Sequence, residues 1–250
     1  MPVKVSINLN AVAMLRNRRN LPWPNLIHIG RMSLKSGASG LTVHPRPDQR
    51  HIRFSDLPKI RQLIDDEFPG KELNIEGYPS EYFLMLCEKN KPDLVTLVPD
   101  SPEQATSDHG WDFVTNKTFL TETISRLHAL GSQVSLFADG DGKITPLREA
   151  KLTGADRIEL YTGPYGACYH DSAGEKVCLE KLSQTANMAR KLFFEISAGH
   201  DLTIQNIPAL IRKIPYISEI SVGHAFAATA IEYGTMETIF RFRRACGQSF

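Results

Sequence analysis

Eight short runs of apolar and β-branched residues alternate with longer amphipathic stretches along the 250 residues, and this alternation limits the chain to very few folds. The strand candidates are residues 3–10, 40–44, 72–77, 94–99, 133–139, 157–162, 193–199 and 219–224. Each is followed by a helical pattern. Residues 55–68 put Leu57, Ile60, Leu63 and Ile64 on one face behind a Ser55-Asp56 cap. Residues 203–214 do the same with Ile204, Ile207, Leu210 and Ile211, and one long pattern covers 226–245. Gly37, Gly131 and Gly154 stand where a helix ends with positive φ before a strand. Residues 36–44 (SGASGLTVH) and 153–162 (TGADRIELYT) repeat one helix-to-strand device.

Strict alternation implies parallel strands joined by right-handed crossovers. Eight βα units in a chain of this length match a closed (β/α)8 TIM barrel of the α/β class. An open doubly wound sheet is expected to carry a glycine-rich turn after its first strand, and neither G-x-G-x-x-G nor a P-loop occurs. No Pro- or Ser-rich linker divides the chain, so residues 1–250 read as a single barrel domain. Its extra helical excursions fall in the βα loops at residues 11–25 and 100–117.

Charge excludes several partners. Twenty-nine Lys plus Arg against 28 Asp plus Glu leave a formal net charge of +1, without the basic excess of a protein that binds nucleic acid through bulk charge. No stretch approaches the roughly 20 apolar residues of a membrane span. Cys87, Cys168, Cys178 and Cys246 form no C-x-x-C pair, and no export signal opens the chain, so the reading is cytoplasmic.

In such barrels the reactive groups lie at the C-terminal strand ends. There the sequence places Asn8 and Asn10 after strand 1, His44 after strand 2, Glu76 in strand 3 and Thr106 in the loop after strand 4. Asp139 and Asp141 follow strand 5, Glu159 lies in strand 6, and His200 and His224 close strands 7 and 8. Four of the eight histidines, His44, His51, His200 and His224, thus share one face. A lone histidine at a strand end is usually structural. Several converging on two strand-borne carboxylates suggest proton transfer, because burial raises a carboxyl pKa toward neutrality. The plainer alternative for Glu76 and Glu159 is a buried ion pair with an arginine.

Phosphate binding is the second theme. Gly199-His200-Asp201 and Gly223-His224-Ala225 put glycine before histidine in the loops where barrels hold phosphate, and a helix begins near Ala225. Arg16, Arg18 and Arg19 in loop 1, with Arg46 and Arg50 in loop 2, supply a second possible anion grip. A solvated basic surface is the alternative.

With these residues in place, the chain resembles the pyridoxine 5′-phosphate synthase family of vitamin B6 biosynthesis. The resemblance covers essentially the whole chain. It rests on Asn8 with Ala13-Met14-Leu15-Arg16-Asn17, Leu41-Thr42-Val43-His44 with Arg46, and Arg50-His51-Ile52. Asn74-Ile75-Glu76, Val134-Ser135-Leu136-Phe137, Ile158-Glu159-Leu160-Tyr161-Thr162-Gly163, Ala198-Gly199-His200 and Gly223-His224 continue it in order.

The resemblance implies a ring-closing transferase that condenses 3-amino-2-oxopropyl phosphate with 1-deoxy-D-xylulose 5-phosphate, without metal or organic cofactor. It implies His44 and Glu76 as proton acceptors, His200 as proton donor and Glu159 as a transition-state stabiliser. Asn8, Arg19, Gly223 and His224 are then expected to hold the aminoketone phosphate, and Arg46, His51 and Thr106 the deoxyxylulose phosphate. Asn10 and Asp201 complete the substrate-binding set. Asn10-Ala11 stands where many members have Asp-His, and Asp201 where a glycine often follows the histidine. The partners implied are two small phosphorylated substrates and further copies of the chain, in a homo-oligomer built from dimers, an octamer. Two competing readings are a metal hydrolase using His44, His200, His224 and Glu76, and a non-catalytic barrel that binds phosphorylated ligands.

Overall fold

A computed structural model describes residues 2–19 and 21–250; residues 1 and 20, which fall in the expected domain and its first excursion, lie outside the described residues. Strands β1 (Lys4–Asn8), β2 (Gly40–Val43), β3 (Glu72–Gly77), β4 (Leu94–Leu97), β5 (Gln133–Asp139), β6 (Arg157–Tyr161), β7 (Glu195–Gly199) and β8 (Glu219–Val222) close into one parallel barrel in sequence order. β1 pairs with both β2 and β8, which closes the ring.

The strand sequences explain why the barrel interior is polar. Side chains of non-adjacent strands meet only across that interior, and Asn8 of β1 reaches Glu76 of β3, while Arg157 of β6 reaches Glu72 of β3 and Glu219 of β8. Residues two apart share a face. Ser6, Asn74 and Glu159 therefore point inward too, and Ser6 and Asn74 hydrogen-bond to Thr42 and Thr96 on the neighbouring strands. The alternate residues Val5, Ile7, Leu41, Val43, Leu73, Ile75, Ile158 and Leu160 pack outward against the helices, fully buried. That outer layer holds most of the apolar core.

The helices are α1 (Asn10–Asn17), α2 (Leu26–Lys35), α3 (Leu57–Glu67), α4 (Glu81–Asn90), α5 (Lys117–Ala129) and α6 (Ile144–Leu152). There follow α7 (Gly163–Gly166), α8 (Ser172–Lys191), α9 (Ile207–Lys213), α10 (His224–Tyr233) and α11 (Thr235–Ala245). In α3 the expected Leu57, Ile60, Leu63 and Ile64 are the buried face. Gly37, Gly131 and Gly154 adopt φ of 97°, 88° and 91° as expected.

Four sequence expectations change. The Ser55-Asp56 cap is replaced by a 3-10 turn at Phe54–Asp56, because Pro58 sets the first helical turn and the Asp56 carboxylate is taken by Arg16 and the Arg53 amide. The helix expected over 203–214 starts at Ile207, behind a turn in which Thr203 accepts from the Asn206 amide. The pattern over 226–245 breaks at Gly234, whose φ of 76° ends α10 before α11 begins. The excursion over 11–25 is largely α1 and the approach to α2, whereas the segment between β4 and α5 is a long loop. Among the described residues no helix is long and apolar enough to cross a membrane.

At the N-terminal end of the barrel Arg157 sits at 3.6, 3.2 and 3.3 Å from Glu72, Glu195 and Glu219. Its side chain is 4% exposed. Burial, and then Glu219, push the Glu72 carboxyl up to about 7 despite the nearby guanidinium. Arg157→Met leaves these carboxylates without their cation. The expected result in urea unfolding at pH 8 is a loss of about 3–5 kcal/mol, with a smaller loss at pH 5, where the carboxyls take up protons. An equal loss at both pH values contradicts this electrostatic role.

Candidate active site

The C-terminal mouth of the barrel opens into a cavity of about 660 Å³. Asn8, Asn10, His44, Arg46, His51, Glu76, Thr106, Glu159, His200, Asp201, Gly223 and His224 line it. Twelve of the thirteen positions expected from the sequence thus meet in one space, drawn from every strand end except β5, where Phe137 takes the place. Arg19 is the exception. It is exposed in the turn after α1, and its neighbour Arg18 lines the cavity instead.

The asparagines organise the floor. Asn8 donates through Nδ2 to Glu76 Oε2 at 3.2 Å and accepts from the Asn10 amide at 2.9 Å. Asn10 Oδ1 in turn accepts from the His44 amide at 2.9 Å, so the ends of β1, β2 and β3 are tied together. Both glutamates are titrated by their surroundings. Burial, then Glu159 and Asp100, hold the Glu76 carboxyl well above the usual range, while Asn8 and Arg46 pull the other way. Burial, then Glu219, push Glu159 up to about 7, with Arg157 opposing.

The arginine alternative for these two glutamates is not what the structure shows. Arg157 pairs with Glu72, Glu195 and Glu219, and among the described residues no ion pair includes Glu76 or Glu159. A buried carboxyl pushed up to about 7, as Glu159 is, can take up or release a proton at physiological pH.

Three histidines of the cavity, His44, His51 and His200, titrate below the ordinary imidazole range. Burial, then the adjacent His51, Arg46 and Arg50, push His44 well below the ordinary imidazole range. Burial, then Arg46 and Arg50, bring His51 down to about 4, and its Nδ1 accepts from the Ile52 amide. The two rings lie 5.8 Å apart. Burial also lowers His200, against the pull of Asp201. His200 Nε2 stands 3.3 Å from Thr106 Oγ1, which joins loop 4 to loop 7.

Loop 7 is strained where it bears these groups. His200 and Asp201 have φ of 91° and 54°, a region side chains rarely occupy, and Thr162 holds the turn by donating to the carbonyls of Gly199 and His200. Gly199 carries a further constraint beside the anion approach expected of it. A Cβ there would collide with Glu159 Oε1, so glycine makes room for the carboxylate. At Gly223 the chain enters α10, whose first residues His224 and Ala225 face the cavity.

The arginines divide by their carboxylates. Arg16 is buried in a bidentate pair with Asp56, at 2.8 and 2.9 Å, and also donates to the His51 carbonyl. It braces loop 2 and is not free to grip an anion. Arg46 pairs with Asp100 and donates to the Gln104 carbonyl at 2.6 Å. Arg50 donates to the carbonyls of Gln104 and Pro102 at 2.8 Å. Loop 4 is therefore fastened to loop 2 through guanidinium groups.

Sequence reasoning did not single out Asp100 or Ser107, whereas Arg18, read with Arg16 and Arg19 as a possible anion grip, does line the cavity. Ser107 donates to the same Asp100 oxygen that Arg46 holds. The signal available for Asp100 was its place three residues past β4, on the reactive face. Among the described residues no group of three or more His, Cys, Asp or Glu side chains stands close enough to hold a metal ion.

Three comparisons place these features among known proteins. A family model described as "Pyridoxal phosphate biosynthesis protein PdxJ" matches residues 5–248. A relative from Allorhizobium ampelinum named pyridoxine 5′-phosphate synthase is 62% identical over 250 residues, covering 99% of both chains. One of the same name from Agrobacterium fabrum is 61% identical over 248 residues, again with 99% of each chain covered. Among solved structures, tryptophan synthase subunit alpha from Legionella pneumophila superposes with a TM-score of 0.63 at 14% identity, over 98% of this chain and 93% of that one. At that identity the likeness speaks for the barrel alone.

Glu159→Gln tests the electrostatic reading of the cavity. The folded carboxyl titrates above its unfolded value, so the folded state binds the extra proton between the two, and stability falls as pH rises from about 4.5 to about 7. The neutral amide removes that cost. Thermal unfolding is expected to show Glu159→Gln more stable than the parent at pH 8 and indistinguishable from it at pH 4. Equal midpoints at pH 8 remove the claim that Glu159 is held at a cost to the fold.

Proposed function

The chain belongs to the family of the pyridoxal phosphate biosynthesis protein PdxJ, and from that membership we propose that it is a pyridoxine 5′-phosphate synthase. The reaction is the condensation of 3-amino-2-oxopropyl phosphate with 1-deoxy-D-xylulose 5-phosphate, releasing phosphate and water. The observation that carries this reading is the meeting of two buried carboxyls, Glu76 and Glu159, whose pKa is raised, and two buried imidazoles, His44 and His200, whose pKa is lowered, in one cavity with a helix N-terminus on its wall.

Imine formation between the amine and the ketone, removal of protons from carbon, loss of water and phosphate, and ring closure each move a proton at a different atom. Several acid and base groups are therefore needed. His44, neutral at physiological pH, and Glu76 act as proton acceptors. His200 donates, its ring placed by the strained turn that Thr162 holds. Glu159 stabilises the charge that develops beside it.

The start of α10 at Gly223 and His224 suits the aminoketone phosphate, because first-turn amides and the helix dipole favour an anion. Asn8, through its amide, lies beside it. Arg46, His51 and Thr106 serve the deoxyxylulose phosphate. In this arrangement the phosphate competes with Asp100 for Arg46, so binding and movement of loop 4 are linked. Asn10 and Asp201 border the same space. Arg19 is exposed and is not among the residues that line the cavity, so its role as a phosphate ligand has no support from this site.

We also propose assembly as a homo-oligomer in the cytoplasm. Leu15 and Ile231, 58% and 82% exposed, leave apolar surface at the cavity rim, and the four cysteines are free thiols. Incubation with both phosphates, read out as ring product and free phosphate, tests the activity. Glu76→Gln and His200→Asn are each expected to lower turnover by about 10²- to 10⁴-fold with both substrates saturating. Parental turnover in either variant removes that residue from the proposed chemistry.

A further inference from the structure

Two cysteines that the chemistry above does not use stand together beside loop 6. Cys168 follows α7, and Cys178 lies in the second turn of α8, with their sulfurs 3.8 Å apart. The Cys168 thiol donates to the Pro164 carbonyl at 3.2 Å. Both residues are partly exposed, whereas Cys87 and Cys246 are buried. The sulfurs are near enough for side-chain rotation and a small shift of the loop to bring them within bonding reach.

We propose that Cys168 and Cys178 are a peroxide-responsive thiol pair that closes to an intramolecular disulfide and so fastens loop 6 to α8. A thiolate sulfur attacks one oxygen of a hydroperoxide. The O–O bond breaks, and the sulfur becomes a sulfenic acid while hydroxide or alkoxide leaves and is protonated. The second thiol then attacks that sulfur, the S–S bond forms, and the S–O bond breaks to release water. Two thiols lose two electrons and the hydroperoxide gains them. Partial burial and the neighbouring Cys168 raise the Cys178 thiol.

The bond has a path to the active site. Thr162, just before α7, donates to the His200 carbonyl at 2.5 Å, and Tyr165 of α7 donates to the Asn206 carbonyl at 2.7 Å. Gly166 packs so closely on Asp201 that a Cβ would collide with it. The segment that the disulfide would draw toward α8 is thus the one that holds His200 in its turn. The effect on turnover rests on the proposed synthase activity. The disulfide itself does not.

The experiment treats the full chain with a small molar excess of hydrogen peroxide, blocks remaining thiols with an alkylating agent, and digests with trypsin without reduction. Lys176 separates the two cysteines, so the disulfide joins two peptides at a mass two hydrogens below their sum. The expected result is that this product forms at least about tenfold faster than any oxidation of Cys87 or Cys246, whose thiols burial pushes up, that of Cys246 to about 12. Cys178→Ser is expected to stop at a sulfenic acid on Cys168, trapped by a dione probe. Independent sulfinic acids, links between chains, or oxidation no faster than at the buried cysteines overturn the pair. Turnover of the oxidised chain is expected to fall by about tenfold and to recover with a thiol reductant, since ångström displacements of a catalytic group cost rate on this scale or more. Unchanged turnover with the disulfide formed overturns the link to His200 alone. Absence of activity in the untreated chain counts against the synthase reading and leaves the mass result standing.

Discussion

A polar barrel interior needs its charges balanced, and here one buried arginine does this for three glutamates. Arg157 lies among Glu72, Glu195 and Glu219 at the N-terminal end, on strands that are not all neighbours. The strands could not otherwise turn serine, threonine, asparagine and glutamate toward a closed space without leaving carboxylates uncompensated. With that cation in place, the layer above it can carry Glu159 and Glu76. Neither has a cation of its own. Both carboxyls titrate above the usual range, through burial first and then through neighbouring carboxyls, Glu159 and Asp100 for Glu76 and Glu219 for Glu159.

The same division of charge runs through the loops. Arg16 is committed to Asp56, and Arg46 and Arg50 are committed to loop 4. What remains at the mouth is a set of imidazoles and carboxyls beside a helix N-terminus. Such a set suits anionic substrates undergoing proton transfers, because fixed dipoles and hydrogen-bond donors favour an anion while burial shifts the pKa of acid and base groups beside it. The near-zero net charge of the chain is compatible with two phosphorylated substrates for this reason. Positive potential is local, and at Arg46 it is paired with Asp100.

The strands were legible because a buried parallel strand flanked by helices has a short apolar period that local sequence records. The differences at their ends have local causes. β1 stops at Asn8 rather than Asn10 because the Asn8 carboxamide accepts from the Asn10 amide and turns the chain into α1. β7 starts at Glu195 rather than Phe193 because Phe193 sits at a φ of 62°, outside strand geometry, with its ring 88% exposed. His44, Glu76, Glu159 and His200 were legible as candidates, since strand ends of one barrel converge whatever their separation in sequence. Gly199 carries a constraint that the sequence did not show. Its missing side chain leaves room for the carboxylate of Glu159, on the neighbouring strand, and no local pattern announces that.

The sequence by itself determined the barrel, the face that carries the chemistry, and the residue types gathered there, because period and strand order are properties of the chain alone. Only the tertiary structure decided which arginine meets which carboxylate. Arg16 and Asp56 are 40 residues apart and Arg46 and Asp100 are 54 apart, so their pairing depends on how loops fold over the barrel mouth. It decided equally that Arg18 rather than Arg19, both in the turn that follows α1, lines the cavity. Electrostatic roles follow from distance and burial, and both are fixed only when the ring of strands closes.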